Sequence, residues 1–319
     1  MQDGALNPER TPPNGARASA PLVGIVVVNW QTPAATRRCL EALAKLTYPR
    51  WSLVLVDNGC ADFSAAALER TPGATYLRTD ANLGFTGGSN AGMRAALDAG
   101  ADWVWFLNSD ARPEPAALDE IVAVATRPPV AAIVGAKILR GDRPEVLDSA
   151  ALQVDLQSGR LYLLGHGEVD RGQHDGLSDP LAVTACAMLV SRATCERFGG
   201  FDADYFAYME DADLCLRARE AGLRVALAPR ARVLHDRAPA ARGRQSLASL
   251  YYSTRNHLML LQRHCPSAPW QRKLQELRVI ALSTAYALRA GHPPWQAVHA
   301  VQRGIADFRA NVVGAGRGT

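Results

Sequence analysis

Trp103-Val104-Trp105-Phe106-Leu107-Asn108-Ser109-Asp110-Ala111-Arg112-Pro113 is the stretch on which the reading of this chain turns. Five apolar residues in a row, followed at once by polar and turn-forming ones, predict a short strand buried on both faces. The strand stops at Asn-Ser-Asp, and Pro113 begins a new segment. A carboxylate at the carboxyl end of a buried strand lies on the rim where open α/β sheets bind their ligands. Asp110 is therefore a candidate anchor for a metal–phosphate group. A plain Asx-turn ahead of Pro113 is the other reading of the same residue.

Outward from this strand, elements alternate. Val23-Gly24-Ile25-Val26-Val27-Val28-Asn29 is a β-branched run that suits a central strand. Thr32-Pro33 then opens a helix, with Ala35, Cys39, Leu40, Leu43 and Leu46 at helical spacing. Further strands are predicted over residues 51–56, 74–77 and 131–136, and helices over 62–69, 89–99 and 115–125. Strand–helix alternation from 23 to 136 implies parallel strands with crossover helices, hence an α/β class with a mostly parallel sheet flanked by helices. Beyond about residue 140 the rhythm breaks. Residues 140–182 read as a loop-rich insertion with strand-like pieces at 151–156 and 160–164. A buried strand over 183–190, a helix over 210–221 and short strands at 225–228 and 232–234 follow. Residues 245–313 read as helices only, broken near Pro266-Pro269 and Pro293-Pro294.

The 319 residues are 48% hydrophobic and 21% charged, which suits one large domain or one domain with a helical appendage. A net charge of +4 is too small to argue for nucleic acid. The six cysteines are scattered without a close pair, so neither a zinc site nor a disulfide framework is expected, and a reducing cytosol is. No basic segment followed by an apolar core marks a signal peptide at the start. No apolar run reaches the roughly 20 residues of a membrane helix.

Three predicted strands end in polar residues that can meet on one rim: Asn29, Asp57-Asn58, and Asn108-Ser109-Asp110. Asp57 can accept hydrogen bonds from a nucleobase imide or a ribose hydroxyl, or can simply close a turn before Gly59. Asn82-Leu83-Gly84-Phe85-Thr86-Gly87-Gly88-Ser89-Asn90-Ala91-Gly92 is the most glycine-dense stretch. It lets backbone approach a ligand ahead of a helix N-terminus, although a capped turn explains it nearly as well. Its spacing is neither that of a dinucleotide fingerprint nor that of a Walker loop. Glu210-Asp211-Ala212-Asp213 places three acids in the first turn of a helix, more than the macrodipole requires. The aromatic approach Phe201–Tyr208 offers the apolar wall beside which a general base is tuned. His235 follows a short strand and, with Asp110, can complete an oxygen- and nitrogen-liganded Mg²⁺ or Mn²⁺ site; a purely structural histidine is the plainer reading.

Taken in order, these motifs resemble an inverting family 2 glycosyltransferase of the GT-A fold, most nearly its rhamnosyltransferase-like branch. The resemblance rests on Val27-Val28-Asn29-Trp30, Val56-Asp57-Asn58-Gly59, the 82–92 stretch, Leu107-Asn108-Ser109-Asp110, Gly199-Gly200-Phe201-Asp202, the 210–218 segment and His235. It implies that Asp57 contacts the nucleotide base with Asn29 and Asn58 nearby. Asn82, Gly84, Gly87, Gly88 and Asn90 would lie along the nucleoside. Asn108, Ser109 and Asp110 would stand for the family's Asp-x-Asp, and Asp110 and His235 would hold a divalent metal on the diphosphate. Asp211 would be the general base and Glu210 would orient acceptor or sugar. Asn108 replaces the first Asp of the pair; the site then has one anionic ligand fewer, which lowers the expected metal affinity. The implied donor is a nucleoside-diphosphate sugar, with rhamnose or another hexose transferred to a glycan or lipid-linked acceptor.

On this reading residues 1–20 form a disordered tail, 21–240 a catalytic domain and 241–319 a helical region. The domain divides into a nucleotide-binding half (21–136) and an acceptor-binding half (137–240). In the first tail helix Leu247, Leu250, Tyr251, Thr254, Leu258 and Leu261 form one stripe. Either this helix packs on the catalytic domain, or it forms a basic amphipathic surface at the inner face of the membrane. Dimerisation through the tail is an equal alternative. A non-catalytic sugar-nucleotide-binding protein is the competing function; a sugar nucleotidyltransferase is disfavoured, because no glycine-rich basic loop follows the first strand.

Overall fold

The computed structural model describes residues 20–60, 71, 73–156, 160–236, 246–265 and 267–316. The expected tail before residue 20 and the expected helix over 62–69 lie outside the described residues. Strands β1 Val23–Asn29, β2 Trp51–Asp57, β3 Ala74–Arg78, β4 Trp103–Asn108, β5 Ala111–Pro113, β6 Ile133–Arg140, β7 Leu147–Ser149, β8 Ala151–Asp155, β9 Arg160–Leu164, β10 Ala187–Ser191 and β11 Val225–His235 are joined by eight helices among the described residues. These are α1 Pro33–Leu43, α2 Gly84–Asp98, α3 Ala117–Thr126, α4 Arg192–Phe198, α5 Glu210–Glu220, α6 Leu247–His264, α7 Pro269–Ala287 and α8 Pro294–Arg309.

The main sheet has the order β3-β2-β1-β4-β10-β6-β11-β5, with β7 added to β6. The first four strands pair in parallel, as the alternation requires. Val23, Ile25, Val27, Leu53, Leu55 and Trp105 pack on one face with α1 and α3; Val26, Val54, Val56, Val104 and Phe106 pack on the other with α2 and α5. The period-2 alternation within each strand thus fills two cores at once.

Three strands of this sheet depart from the parallel pattern: β5 pairs antiparallel with β11, β7 does so with β6, and the third stands inside the sheet. β10 runs antiparallel between β4 and β6. Hydrophobic periodicity says nothing about direction, and no crossover helix precedes β10. The chain leaves β6 at its carboxyl end and re-enters β10 at that same end, so the 141–186 insertion covers the ligand rim. Lys137, buried in β6, anchors this insertion through Asp170 and Asp175, and Arg232 of β11 adds a second bond to Asp170 (2.9 Å).

The tail helices settle the choice left open for α6. Leu250, Tyr251, Thr254, Leu258 and Leu261 are buried, and Met259 and Leu260 join the core beneath β1 and β4. His264 at the end of α6 bonds Asp213 (2.9 Å) and Glu220 (2.8 Å) of α5. The stripe of α6 is therefore a packing surface and not one turned to a membrane. The breaks between α6, α7 and α8 fall where the prolines predict them.

Candidate active site

The register of the sheet brings the strand ends together. Asn29 is paired with Asp57, and Val28 with Asn108. On the far side His235 pairs with Ala111, and Asp236 N donates to Asp110 O (2.8 Å). The short strand β5, which the sequence reading folded into a turn, carries Asp110 to the end of β11. Arg112 locks the arrangement by donating to both oxygens of Asp236 (2.8 and 2.7 Å).

Asp110 Oδ1 lies 3.2 Å from His235 Nε2, and Asp148 Oδ2 lies 2.8 Å from His235 Nδ1. Burial alone would lower the His235 pKa, but the two flanking carboxylates outweigh it and push it up to about 9. Burial would raise the Asp110 carboxyl; the hydrogen bond and charge of His235 hold it below the usual range instead. Asp148 was not legible in the sequence. It comes from β7, inside the irregular insertion, and meets His235 only through tertiary folding.

The residues around Asp57 are held by protein partners. Asp57 Oδ2 accepts from Tyr76 OH (3.0 Å), and Arg78 Nε lies 3.7 Å away. Asn29 is fully buried, accepting from Thr36 Oγ1 (2.8 Å). Asn58 spans to the 79–84 loop: its Nδ2 donates to Asn82 Oδ1 (3.1 Å) and Gly84 O (2.9 Å), and its Oδ1 accepts from Leu83 N (3.1 Å). Ser109 Oγ shares a hydrogen bond with Thr32 Oγ1 (3.2 Å). Asn90 sits deeper, its carboxamide bonded to both backbone groups of Phe201 (2.7 and 2.9 Å).

The glycine-dense stretch is helix from Gly84 onward, five residues earlier than the sequence suggests. Its first N–H groups already have acceptors: Gly84 N donates to Asn82 Oδ1 (2.9 Å) and Thr86 N to Phe206 O (3.1 Å). Gly87 lies over Leu83, Gly88 faces Val28, and a Cβ on Gly92 would stand 2.4 Å from Val26 Cγ1. Close seating of α2 on the sheet accounts for Gly88 and Gly92, and the Leu83 side chain that precedes the helix accounts for Gly87. Gly84 has φ +72°, and a Cβ there would stand 2.3 Å from Phe206 O. Phe206 opens a segment in which Phe206, Tyr208 and Met209 all have positive φ. Strain of this kind persists only where the surroundings over-determine it. Here the buried Asn256 of α6 donates to Tyr205 O, Ala207 O and Tyr208 O (2.8, 2.7 and 2.9 Å).

That segment delivers Glu210 and Asp211 to the first turn of α5. The three acids separate by role. Asp213 is spent on Arg217, His264 and Tyr205. Asp211 accepts from Ala185 N (3.1 Å) and Ala212 N (2.8 Å). Glu210 is buried with its Oε2 unpartnered. Burial raises the pKa of both, and the neighbouring Asp211 charge raises Glu210 well above the ordinary value. More donors that favour the charged form surround Asp211 than Glu210, so Asp211 is the one of the pair disposed to ionise first. Ala185 precedes Cys186, whose carbonyl accepts from Asn108 N (3.0 Å). Asp211 and Asp110 thus converge on the carboxyl end of β4, though they lie about a hundred residues apart in the chain.

The sheet and its rim have the architecture of the GT-A fold, and the comparisons give the family. The family model described as "Glycosyltransferase like family 2" matches residues 20–252. An N-acetylglucosaminyl-diphospho-decaprenol L-rhamnosyltransferase of Mycobacterium tuberculosis is 31% identical over 276 residues, covering 80% of this chain and 88% of that protein. The O-antigen biosynthesis protein RfbC of Myxococcus xanthus is 30% identical over 67% of this chain, which spans only 17% of that protein. The mannosyltransferase PcManGT of Pyrobaculum calidifontis, solved with GDP-Man and Mn²⁺, shares the fold with a TM-score of 0.55 at 18% identity, covering 93% of this chain and 84% of that one. The chain belongs to glycosyltransferase family 2 and is a glycosyltransferase.

Among the described residues no three His, Cys, Asp or Glu side chains are grouped to hold a metal ion. Asp110 and His235 offer one hard oxygen and one imidazole nitrogen side by side, with Asp148 on the outer nitrogen, the arrangement that commonly backs a metal-ligating histidine. Two protein ligands fit a divalent ion whose other positions are filled by donor oxygens and water. Among the described residues no helix is long and apolar enough to cross a membrane, and the six cysteines are all buried without a disulfide.

Proposed function

We propose that the protein transfers a hexose, most consistently a 6-deoxyhexose such as rhamnose, from a nucleoside diphosphate to a hydroxyl of a lipid-linked glycan, inverting the anomeric centre. The observation that carries this reading is the Asp211 carboxylate, which accepts from two backbone N–H groups beside the buried Glu210, at the strand end that also bears Asp110. The rhamnosyltransferase relative supports the sugar and the lipid-linked acceptor by its name.

Asp57 and its neighbours bind the nucleotide, with Asn29 and Asn58 fixing the loop around it. Asp110 and His235 would hold a Mg²⁺ or Mn²⁺ ion, which would supply positive charge to the leaving diphosphate. Asp148 fixes the tautomer and orientation of His235. Glu210, kept neutral by burial, donates a hydrogen bond to acceptor or sugar. Asp211 Oδ takes the proton of the acceptor hydroxyl as its oxygen attacks the anomeric carbon and the nucleoside diphosphate departs from the opposite side. A single carboxylate suffices, and no covalent sugar–enzyme bond forms.

Asp211→Asn tests the assignment. Transfer should fall by roughly 100-fold or more, the usual worth of a positioned base, while donor binding followed by thermal shift stays intact. Full activity in that variant removes Asp211 from the role.

A further inference from the structure

α7 is the outermost tail helix, and it buries only Gln275, Val279 and Ala287. Trp270, Leu274, Leu277, Ala281 and Ala285 recur at helical spacing on its open side, with Leu282 and Tyr286 along one edge. Trp270 is 68% exposed, and Trp295 at the start of α8 is 71% exposed. A contiguous apolar surface of this kind on a water-soluble fold marks an interaction site. Its fringe is basic: Lys273, Arg278 and Arg289 of the same helix and its end, with Glu276 the one acid of that stretch, which Lys273 already approaches at 3.6 Å. A groove of about 500 Å³ opens at Leu282 and Tyr286, passes Arg160, Tyr162 and His257, and reaches Met209, the residue before Glu210.

We propose that this face of α7, with Trp295, docks the enzyme in the plane of an anionic lipid bilayer. Trp and Leu side chains on a helix with a cationic fringe are what the headgroup boundary accommodates. The fringe also decides between occupants. A second copy packed across a two-fold axis would bring the same arginines face to face, whereas an anionic bilayer neutralises them. Docked this way, the groove leads from the bilayer to the residues ahead of the carboxylates. That last link rests on the proposed lipid-linked acceptor; the docking surface itself rests only on the exposed residues and their charge.

Co-sedimentation of the full chain with phosphatidylglycerol vesicles, and separately with phosphatidylcholine vesicles, is the test. Wild type should bind the anionic vesicles and largely spare the neutral ones. The Trp270→Glu/Leu277→Glu double variant should bind at least about tenfold less, because it replaces apolar area buried on docking with charge. Its melting temperature and its release of nucleotide from donor in free solution should match wild type. Three results overturn the proposal: wild type left in solution by both vesicles, a double variant that binds like wild type, or a dimer by light scattering that the double substitution splits. Vesicle binding without any donor turnover would instead count against the transfer reading and leave the docking surface standing.

Discussion

Asp148 Oδ2 lies 2.8 Å from His235 Nδ1, on the side of the ring away from Asp110. The imidazole therefore has a fixed tautomer when its other nitrogen is needed as a ligand. Asp148→Asn should weaken Mn²⁺ binding in the presence of nucleoside diphosphate by about 10–100-fold, the usual effect of removing such a backing carboxylate. Isothermal titration with Mn²⁺ checks this. Unchanged affinity, or activity indifferent to a strong chelator, would take His235 and Asp110 out of metal binding.

Burial places the Asp211 pKa above its ordinary value. A base must be ionised to act, so kcat/KM should decline on the acid side at a pH above about 3.9, the usual Asp value. Glu210 is shifted well above its ordinary value by burial and by the Asp211 charge. Glu210→Gln should then leave the acid limb where it is while lowering the maximum rate. A large displacement of the limb in Glu210→Gln would show that Glu210 is charged in the working enzyme.

The His264–Asp213 pair ties α6 to α5, and its two shifts have opposite signs. Burial opposes both, but the mutual bond raises His264 and, with Arg217, lowers Asp213. A raised histidine pKa stabilises the fold below the ordinary value near 6.5 and loses that contribution as pH climbs through the folded value. A lowered Asp pKa stabilises above about 3.9 and loses it as pH drops through the folded value. The melting temperature should thus pass through a plateau between these ranges. His264→Gln should flatten the alkaline decline and spare the acid one; an unaltered alkaline decline would reject the assignment.

Gly84→Ala should be costly out of proportion to its size. The left-handed φ alone costs about 1–2 kcal/mol for a residue with a side chain, and the new methyl would press on Phe206 O. Because Phe206 begins the strained run ahead of Glu210, activity should fall further than stability does. Chemical denaturation and initial rates on the same preparation separate the two. Equal losses would mean that the glycine serves folding alone.

The strands were legible because each carries its own signal. β1 and β9 fall on the predicted residues, and β2 and β4 each run one residue beyond them, since β-branched and aromatic runs between turn residues admit little else. The meeting of Asn29, Asp57 and Asn108 on one rim was legible for a related reason: a polar residue that ends a buried strand marks the sheet edge, and the register then sets these ends side by side. Three things were hidden. The direction of β10 is set by where the chain re-enters the sheet, and side-chain period does not record that. The start of α2 was misplaced because glycines that seat a helix on a sheet look, in one dimension, like a flexible loop. Asp148 and His264 act through partners 87 and 51 residues away, and no local pattern announces such pairs.

The reversed strand β10 also limits how this molecule can move. It welds β4, which ends beside Asp110, to β6 and hence to β11, which carries His235, through hydrogen-bonded ladders interrupted only by a register shift between Ala228 and Arg232 of β11. Two lobes swinging about a hinge would have to tear that ladder. Any adjustment around a bound donor is then confined to side chains and short loops at the rim, while the platform under them stays still.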